Sequence, residues 1–158
     1  MLNFAANLSL ISTEHPFLER FAAAARDGLR GVEFLFPYQE SPIRSRACLD
    51  DVGLKQVLFN APPGDFAKGE RGLAAVPGCR AEFRHGIQQA LEYAQALSCS
   101  QVRVMAGCLA ADQTREAYVA CYQENLAWAA TQAASVGVTL FRTYQHPRYA
   151  GILPELPA

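Results

Sequence analysis

The sequence predicts an α/β protein: a parallel sheet covered by helices, built as part of a (β/α)8 barrel rather than as an open doubly wound sheet. Three observations carry this expectation. Short β-branched and aromatic runs alternate with 3.6-periodic segments, a pattern that gives right-handed βαβ crossovers and parallel strands. The stretch after the first strand, Asn7-Leu8-Ser9-Leu10-Ile11-Ser12, contains no glycine, so the G-x-G-x-x-G turn of a dinucleotide-binding sheet is missing. Polar residues also recur where strands end, which is where a barrel gathers its chemistry.

The elements follow in order. Leu2–Asn7 is a short apolar strand, and Pro16 opens a helix carrying Phe17, Leu18, Phe21, Ala22 and Ala25, closed by Gly28. Gly31–Phe36 is the second strand, stopped by Pro37-Tyr38. Ser41-Pro42 pairs an N-cap with proline at the first helical position, and Gly53 ends that helix. Lys55–Asn60 is the third strand, followed by a long loop from Ala61 to Gly72, a length that favours function. Phe83, Ile87, Ala90, Leu91, Ala94 and Leu97 mark a third helix. Gln101–Met105 is the fourth strand, turned out by Ala106-Gly107. A fourth helix should bury Val119, Tyr122, Leu126, Ala129, Ala130 and Ala133, before a fifth strand over Val136–Phe141.

Composition narrows the function classes. The chain is 51% hydrophobic and 18% charged, and 14 Lys+Arg against 15 Asp+Glu leave a net charge of -1. That balance offers no footprint for nucleic acid or an anionic membrane. No apolar run approaches the roughly 20 residues needed to span a bilayer, and Met1-Leu2-Asn3-Phe4 does not start a signal peptide, so a cytoplasmic location is expected. The 5 cysteines contain no C-x-x-C pair, against both a disulfide framework and a zinc knuckle.

Candidate site residues come from the strand ends. Asn7 and Asn60 close their strands, and Glu70 and Arg71 stand in the long loop; these four are the substrate-binding candidates. Asn at a strand end also closes turns, and Glu70 and Arg71 could simply pair with solvent or each other. Glu33, between Val32 and Phe34, must find a polar partner in the lumen or under a helix. Gly64 to Gly69 has the spacing of a phosphate loop, but Glu70 and Arg71 occupy the positions that need Lys and Ser/Thr. No histidine cluster or paired carboxylate motif makes a metal site.

Phe4-Ala5-Ala6-Asn7-Leu8-Ser9, Gly31-Val32-Glu33-Phe34-Leu35-Phe36-Pro37-Tyr38, Phe59-Asn60 with Pro63-Gly64-Asp65, Gly69-Glu70-Arg71-Gly72, Pro77-Gly78 with Glu82-Phe83-Arg84, Val104-Met105-Ala106-Gly107 and Glu124-Asn125-Leu126 stand in this order. Together they resemble the hydroxypyruvate isomerase family of xylose isomerase-like TIM barrels, whose close relatives include the 2-oxo-tetronate isomerases. The resemblance spans Met1 to Phe141 and implies a partial barrel of about four βα units plus the start of strand five. It also implies conversion of hydroxypyruvate to tartronate semialdehyde through an enediolate, with carboxylates as acid and base and a divalent metal, Mg or Mn, polarising the substrate oxygens. A small 2-oxo or hydroxy acid is then the expected partner, and the endonuclease IV branch of the superfamily, with several histidines and a basic groove, fits less well.

The departure begins after Phe141. The family continues its fifth strand into Glu-Pro-Ile-Asn-Thr-Arg and draws its metal ligands from strands five to eight, whereas this chain has Arg142-Thr143-Tyr144-Gln145-His146-Pro147. The codons GAA CCT ATC AAC ACC CGC, entered one base earlier on a C, read Arg-Thr-Tyr-Gln-His-Pro. A shift of reading frame after Phe141 is therefore expected, and a gene with no family-like frame downstream would exclude it. On this reading residues 1–141 are the amino-terminal half of a barrel and 142–158 a non-family tail. No catalytic or metal-binding residue is assigned, no metal is expected to bind, and the fragment should be inactive alone. A non-catalytic half-barrel that forms a homodimer through its open sheet edges is the alternative.

Overall fold

The computed structural model describes residues 4–110 and 113–142. Five strands, β1 (Ala5–Asn7), β2 (Gly31–Phe34), β3 (Lys55–Asn60), β4 (Gln101–Val104) and β5 (Thr139–Arg142), form one sheet in sequential order. All four pairings are parallel. The helices α1 (Arg20–Arg26), α2 (Pro42–Val52), α3 (Arg80–Ala96) and α4 (Arg115–Ser135) connect them. Sequential order in a parallel sheet, with a helix at every crossover, is the winding of a barrel; a doubly wound sheet would reverse its strand order.

Sequence periodicity decides which face each strand covers. Val32 and Phe34 on β2, Phe59 on β3 and Val102 and Val104 on β4 are buried against the helices. Phe34 makes edge-on ring contacts with Phe17 and Phe21 at centroid distances of 5.3 and 6.2 Å, and a tilted one with Phe59. The alternate residues, Asn7, Glu33, Asn60 and Arg103, share the opposite face. Burying large apolar side chains at about 1.5–3 kcal/mol each is what holds the helical layer on the sheet.

Several boundaries differ from the sequence reading. Pro16 precedes a 3-10 turn, Phe17–Glu19, and α1 begins only at Arg20. Strands β2 and β4 end at Phe34 and Val104, before the expected Phe36 and Met105. Val136 caps α4 instead of opening β5, because Gly137 turns the chain at φ 70°. Arg142 pairs with Val104, so the expected break after Phe141 falls inside β5. The remainder of the expected tail, 143–158, lies outside the described residues.

Helix α4 carries the largest correction. Its buried residues are Tyr118, Tyr122, Asn125, Ala129 and Ala133. Val119 and Leu126 are only half-buried and Ala130 is exposed. The helix has apolar residues on more than one face, and the layer covers only one of them.

Helix α2 has the expected ends: Ser41 stands at the N-cap before Pro42, though its side chain makes no capping hydrogen bond, and Gly53 caps the other end in the left-handed region. A register shift between Val32 and Glu33 sets Glu33 opposite Leu58 and leaves Val57 as the extra residue. The buried Gln56 side chain spans it, its Nε2 donating to the Leu58 carbonyl at 2.7 Å. Among the described residues, no helix is long and apolar enough to cross a membrane.

Candidate active site

At the carboxyl end of the sheet, Asn7 and Glu33 are opposite one another in the β1–β2 register. Asn7 Nδ2 donates to Glu33 Oε1 at 2.9 Å, and Asn7 Oδ1 accepts the Ser9 backbone N–H at 3.0 Å. Asn7 therefore closes the turn and fixes a carboxylate with the two ends of one amide. The Ser9 hydroxyl accepts the Leu35 N–H, tying the β1 and β2 exits together. The partner that Glu33 requires is thus Asn7, on the open face.

Asn60 is buried, at 4% exposure, two residues beyond Leu58 on the same face. Its carbonyl accepts the Tyr38 hydroxyl at 2.7 Å. Burial pushes the Tyr38 phenol well above its ordinary pKa, reinforced by neighbouring Tyr93, so it is a fixed donor and not an acid at neutral pH. Arg103 is level with Asn60 in the β3–β4 register, placing a cation on this face. The alternation in Gln101-Val102-Arg103-Val104 is the one sequence signal for Arg103, which the strand-end candidates above do not include. Asn7, Glu33, Asn60 and Arg103 make a polar row across four strands, with amide, carboxylate and guanidinium groups suited to orienting a small oxygen-rich anion.

Glu70 and Arg71 are held differently. Glu70 Oε2 accepts the Asp65 backbone N–H at 2.5 Å. Gly64, at φ 81°, packs so closely that a Cβ there would overlap Glu70 Oε2. Arg71 donates to the carbonyls of Phe66 and Glu70 and places its guanidinium 3.8 Å from the Phe66 ring centroid. Phe66 in turn contacts Phe36, with ring centroids 5.2 Å apart. These contacts shape the loop, and none of them reaches Asn7 or Asn60. The structure brings Asn7 and Asn60 onto one face and leaves Glu70 and Arg71 beside it.

The rest of the loop is hooked to the exit of β4. Gly72 forms an antiparallel bridge with Ala106, and Ala75 N–H donates to the Ala106 carbonyl at 2.8 Å. Gly72 has φ 111°, and a side chain there would strike the Met105 carbonyl, so only glycine permits this approach. From α4, the fully buried Asn125 donates Nδ2 to the Ala74 carbonyl at 2.9 Å. Long loop, β4 exit and α4 are one unit.

Metal chemistry needs converging donors, and among the described residues no three His, Cys, Asp or Glu side chains are placed to hold an ion. Glu33 is the carboxylate of the polar row and its Oε1 is already engaged by Asn7. The described residues by themselves do not make a site for the divalent metal that the family resemblance implies.

The geometry agrees with what the chain is similar to. A family model described as "Xylose isomerase-like TIM barrel" matches residues 21–141. A 2-oxo-tetronate isomerase of Cupriavidus necator is 57% identical over 140 residues, 89% of this chain and 54% of that protein. Hydroxypyruvate isomerase of Escherichia coli is 41% identical over 140 residues, 89% of this chain and 54% of that protein. A crystal structure titled AP endonuclease, family 2, from Brucella melitensis superposes with a TM-score of 0.86 at 46% identity, over 90% of this chain and 55% of that one. The chain spans about half the length of the curated relatives it matches. With its sequential parallel sheet and polar strand ends, it belongs to the xylose isomerase-like TIM barrel family, and its fold is part of such a barrel.

Proposed function

We propose that this chain supplies the substrate-orienting half of an aldose-ketose type isomerase acting on a small 2-oxo or hydroxy acid in the cytoplasm. The observation that carries the reading is the 57% identity to a 2-oxo-tetronate isomerase over 140 residues, 89% of this chain. Hydroxypyruvate comes first on sequence motifs alone; the lower identity of 41% to hydroxypyruvate isomerase moves the proposal to the longer 2-oxo-tetronate class. Arg103 and Asn60 hold the anionic and carbonyl oxygens, while Asn7 keeps the Glu33 carboxylate turned toward the substrate hydroxyls. Glu70 and Arg71 shape the loop at the edge of this pocket. In the family resemblance a divalent metal, Mg or Mn, would be held by residues from strand five onward, and the chemistry it would supply is polarisation of substrate oxygens.

The carboxylates that move the proton belong, in the family resemblance, to the end of strand five and to the strands that follow it, and the chain has Arg142-Thr143 where that strand would end in glutamate. By this reading the 158-residue chain alone does not turn over. The experiment compares two proteins with Mg2+ present: this chain, and a chimera joining residues 1–141 to the carboxyl-terminal half of the Cupriavidus relative. Turnover by the chimera and none by the chain is the expected result. Metal-dependent turnover by the chain alone overturns the division of labour, and a folded chimera inert to both 2-oxo-tetronate and hydroxypyruvate overturns the isomerase reading. The Brucella neighbour is titled an endonuclease, but a net charge of -1 gives this chain no electrostatic footprint for DNA.

A further inference from the structure

Cys79 and Cys121 are far apart in the chain and meet where the start of α3 lies against α4. Cys79 stands at the N-cap position before α3, and the next residue, Arg80, forms an ion pair with Glu124, one turn along α4 from Cys121. Cys121 Sγ lies 4.0 Å from the Ala74 carbonyl oxygen, and Asn125 Nδ2, which donates to that carbonyl, also donates to Cys121 Sγ at 3.4 Å. The turn that follows Ala74 closes with the Cys79 N–H donating to the Val76 carbonyl at 3.2 Å, so the two thiols flank one short segment. They are close enough for the charge of one to oppose ionisation of the other. Both are free and half-buried, which leaves a small reagent access to them.

We infer that Cys79 and Cys121 form a reversible redox pair, closed by a small-molecule disulfide and reopened by thiols, which ties the start of α3 to α4. The Cys121 thiolate attacks one sulfur of the small disulfide; that S–S bond breaks, one small thiolate leaves, and a mixed disulfide forms on Cys121. The Cys79 thiolate then attacks Cys121 Sγ, the protein disulfide forms, and the second small thiolate leaves. The protein gives up two electrons and two protons, and the oxidant is reduced to two thiols. Neighbouring groups set these roles. The Asn125 N–H points at the Cys121 sulfur and stabilises negative charge there. Burial is the largest influence on both thiols and pushes both above their ordinary pKa; the Arg80 guanidinium opposes it at Cys121, whereas Glu82 and Glu70 add to it at Cys79. Thiols held this way react slowly, so the pair stays open until oxidant accumulates. Closed, the bridge braces the hooked segment from Gly72 to Ala75, which continues directly from Glu70 and Arg71 beside the polar row. A spacing motif such as C-x-x-C does not reveal the pair, because packing of α3 on α4 makes it.

The test treats the full reduced 158-residue chain with oxidised glutathione at about pH 8.5, where thiolate is more abundant. Alkylation then stops the exchange, and peptide mass spectrometry locates every modified cysteine; neither step depends on whether the barrel is an isomerase. The expected product is a monomer lighter by two hydrogens, with Cys79 and Cys121 in one cross-linked peptide pair that dithiothreitol separates. Amide exchange from Ala74 to Cys79 should be slower in the oxidised chain than in the reduced one. Cys79→Ser should trap glutathione on Cys121, and Cys121→Ser should slow capture of glutathione at Cys79 at least about fivefold. The wild-type cross-link decides the pairing without either variant. Separate glutathione adducts with no cross-link overturn the inference, as do cross-links between other cysteines or a Cys79–Cys121 bond found only between two copies. Unchanged amide exchange overturns the bracing of the loop, and equal capture rates at the two cysteines overturn their roles.

Discussion

Helices α3 and α4 are neighbours with similar roles, and they differ in how well their surroundings match their sequences. Helix α3 buries Phe83, Gly86, Ile87, Ala90, Leu91 and Ala94 and presents Glu82, His85, Gln88, Glu92 and Gln95 to solvent. It has one apolar face and one layer to cover it. Helix α4 buries Tyr118, Tyr122, Asn125, Ala129 and Ala133, yet leaves Ala127 and Ala130 open. The difference teaches that the apolar pattern of α3 is used up within the described residues, whereas α4 has apolar residues that the described layer leaves uncovered.

The comparison can be broken most forcefully in α3. Ile87 is 1% exposed, and Ile87→Ala should cost about 2–5 kcal/mol by lost burial and cavity formation, read from chemical denaturation. The corresponding lesion in α4 is polar. Asn125→Ala removes the donor to the fully buried Ala74 carbonyl and should cost about 1–3 kcal/mol. Hydrogen exchange should then rise in the hooked segment from Gly72 to Ala75, where α3 variants leave it protected.

Smaller effects sharpen the contrast. Thr114 accepts the Ala117 N–H at 3.2 Å at the start of α4, so Thr114→Ala should lower stability by about 1 kcal/mol. Cys79, at the N-cap position before α3, makes no side-chain cap, and Cys79→Ala should carry no such capping loss. Ala130→Glu should change the melting of the isolated chain by less than about 0.5 kcal/mol. A large loss there would show that the open face is already occupied. The smallest effect is in the loop ahead of α3, where hydrogen bonding to Lys68, through its side chain first and its backbone second, holds the Asp65 carboxyl below its ordinary pKa. A depressed folded pKa means that this contribution is present above the unfolded pKa and lost as pH falls through the folded one. Lys68→Ala should move the Asp65 NMR titration upward.

Legibility tracked the range of the cause. Pro42 and Gly53 bound α2 as read, because the fixed φ of proline and the left-handed freedom of glycine act within a turn, although the Ser41 side chain makes no capping bond. Val32 and Phe34 faced the helices because strand alternation is local. At the strand ends, Asn7 and Asn60 share one face of the sheet, and the polar partner that Glu33 needs is Asn7. Arg103 drew no attention because a single arginine between valines reads as ordinary alternation. The loop-internal contacts of Glu70 and Arg71 depend on Gly64 and Phe66 folding back on them, which no spacing rule encodes.

The sequence by itself determined the family, the order of strands and helices, and the polar character of the strand ends, because caps, periodicity and motif order are carried by neighbouring residues. Only the tertiary structure decided that Asn7 meets Glu33 across 26 residues, that Gly72 hooks onto Ala106, and which apolar face of α4 is covered. Those outcomes follow from sheet register and from the neighbours each helix finds, and both are set by contacts between segments far apart in the chain.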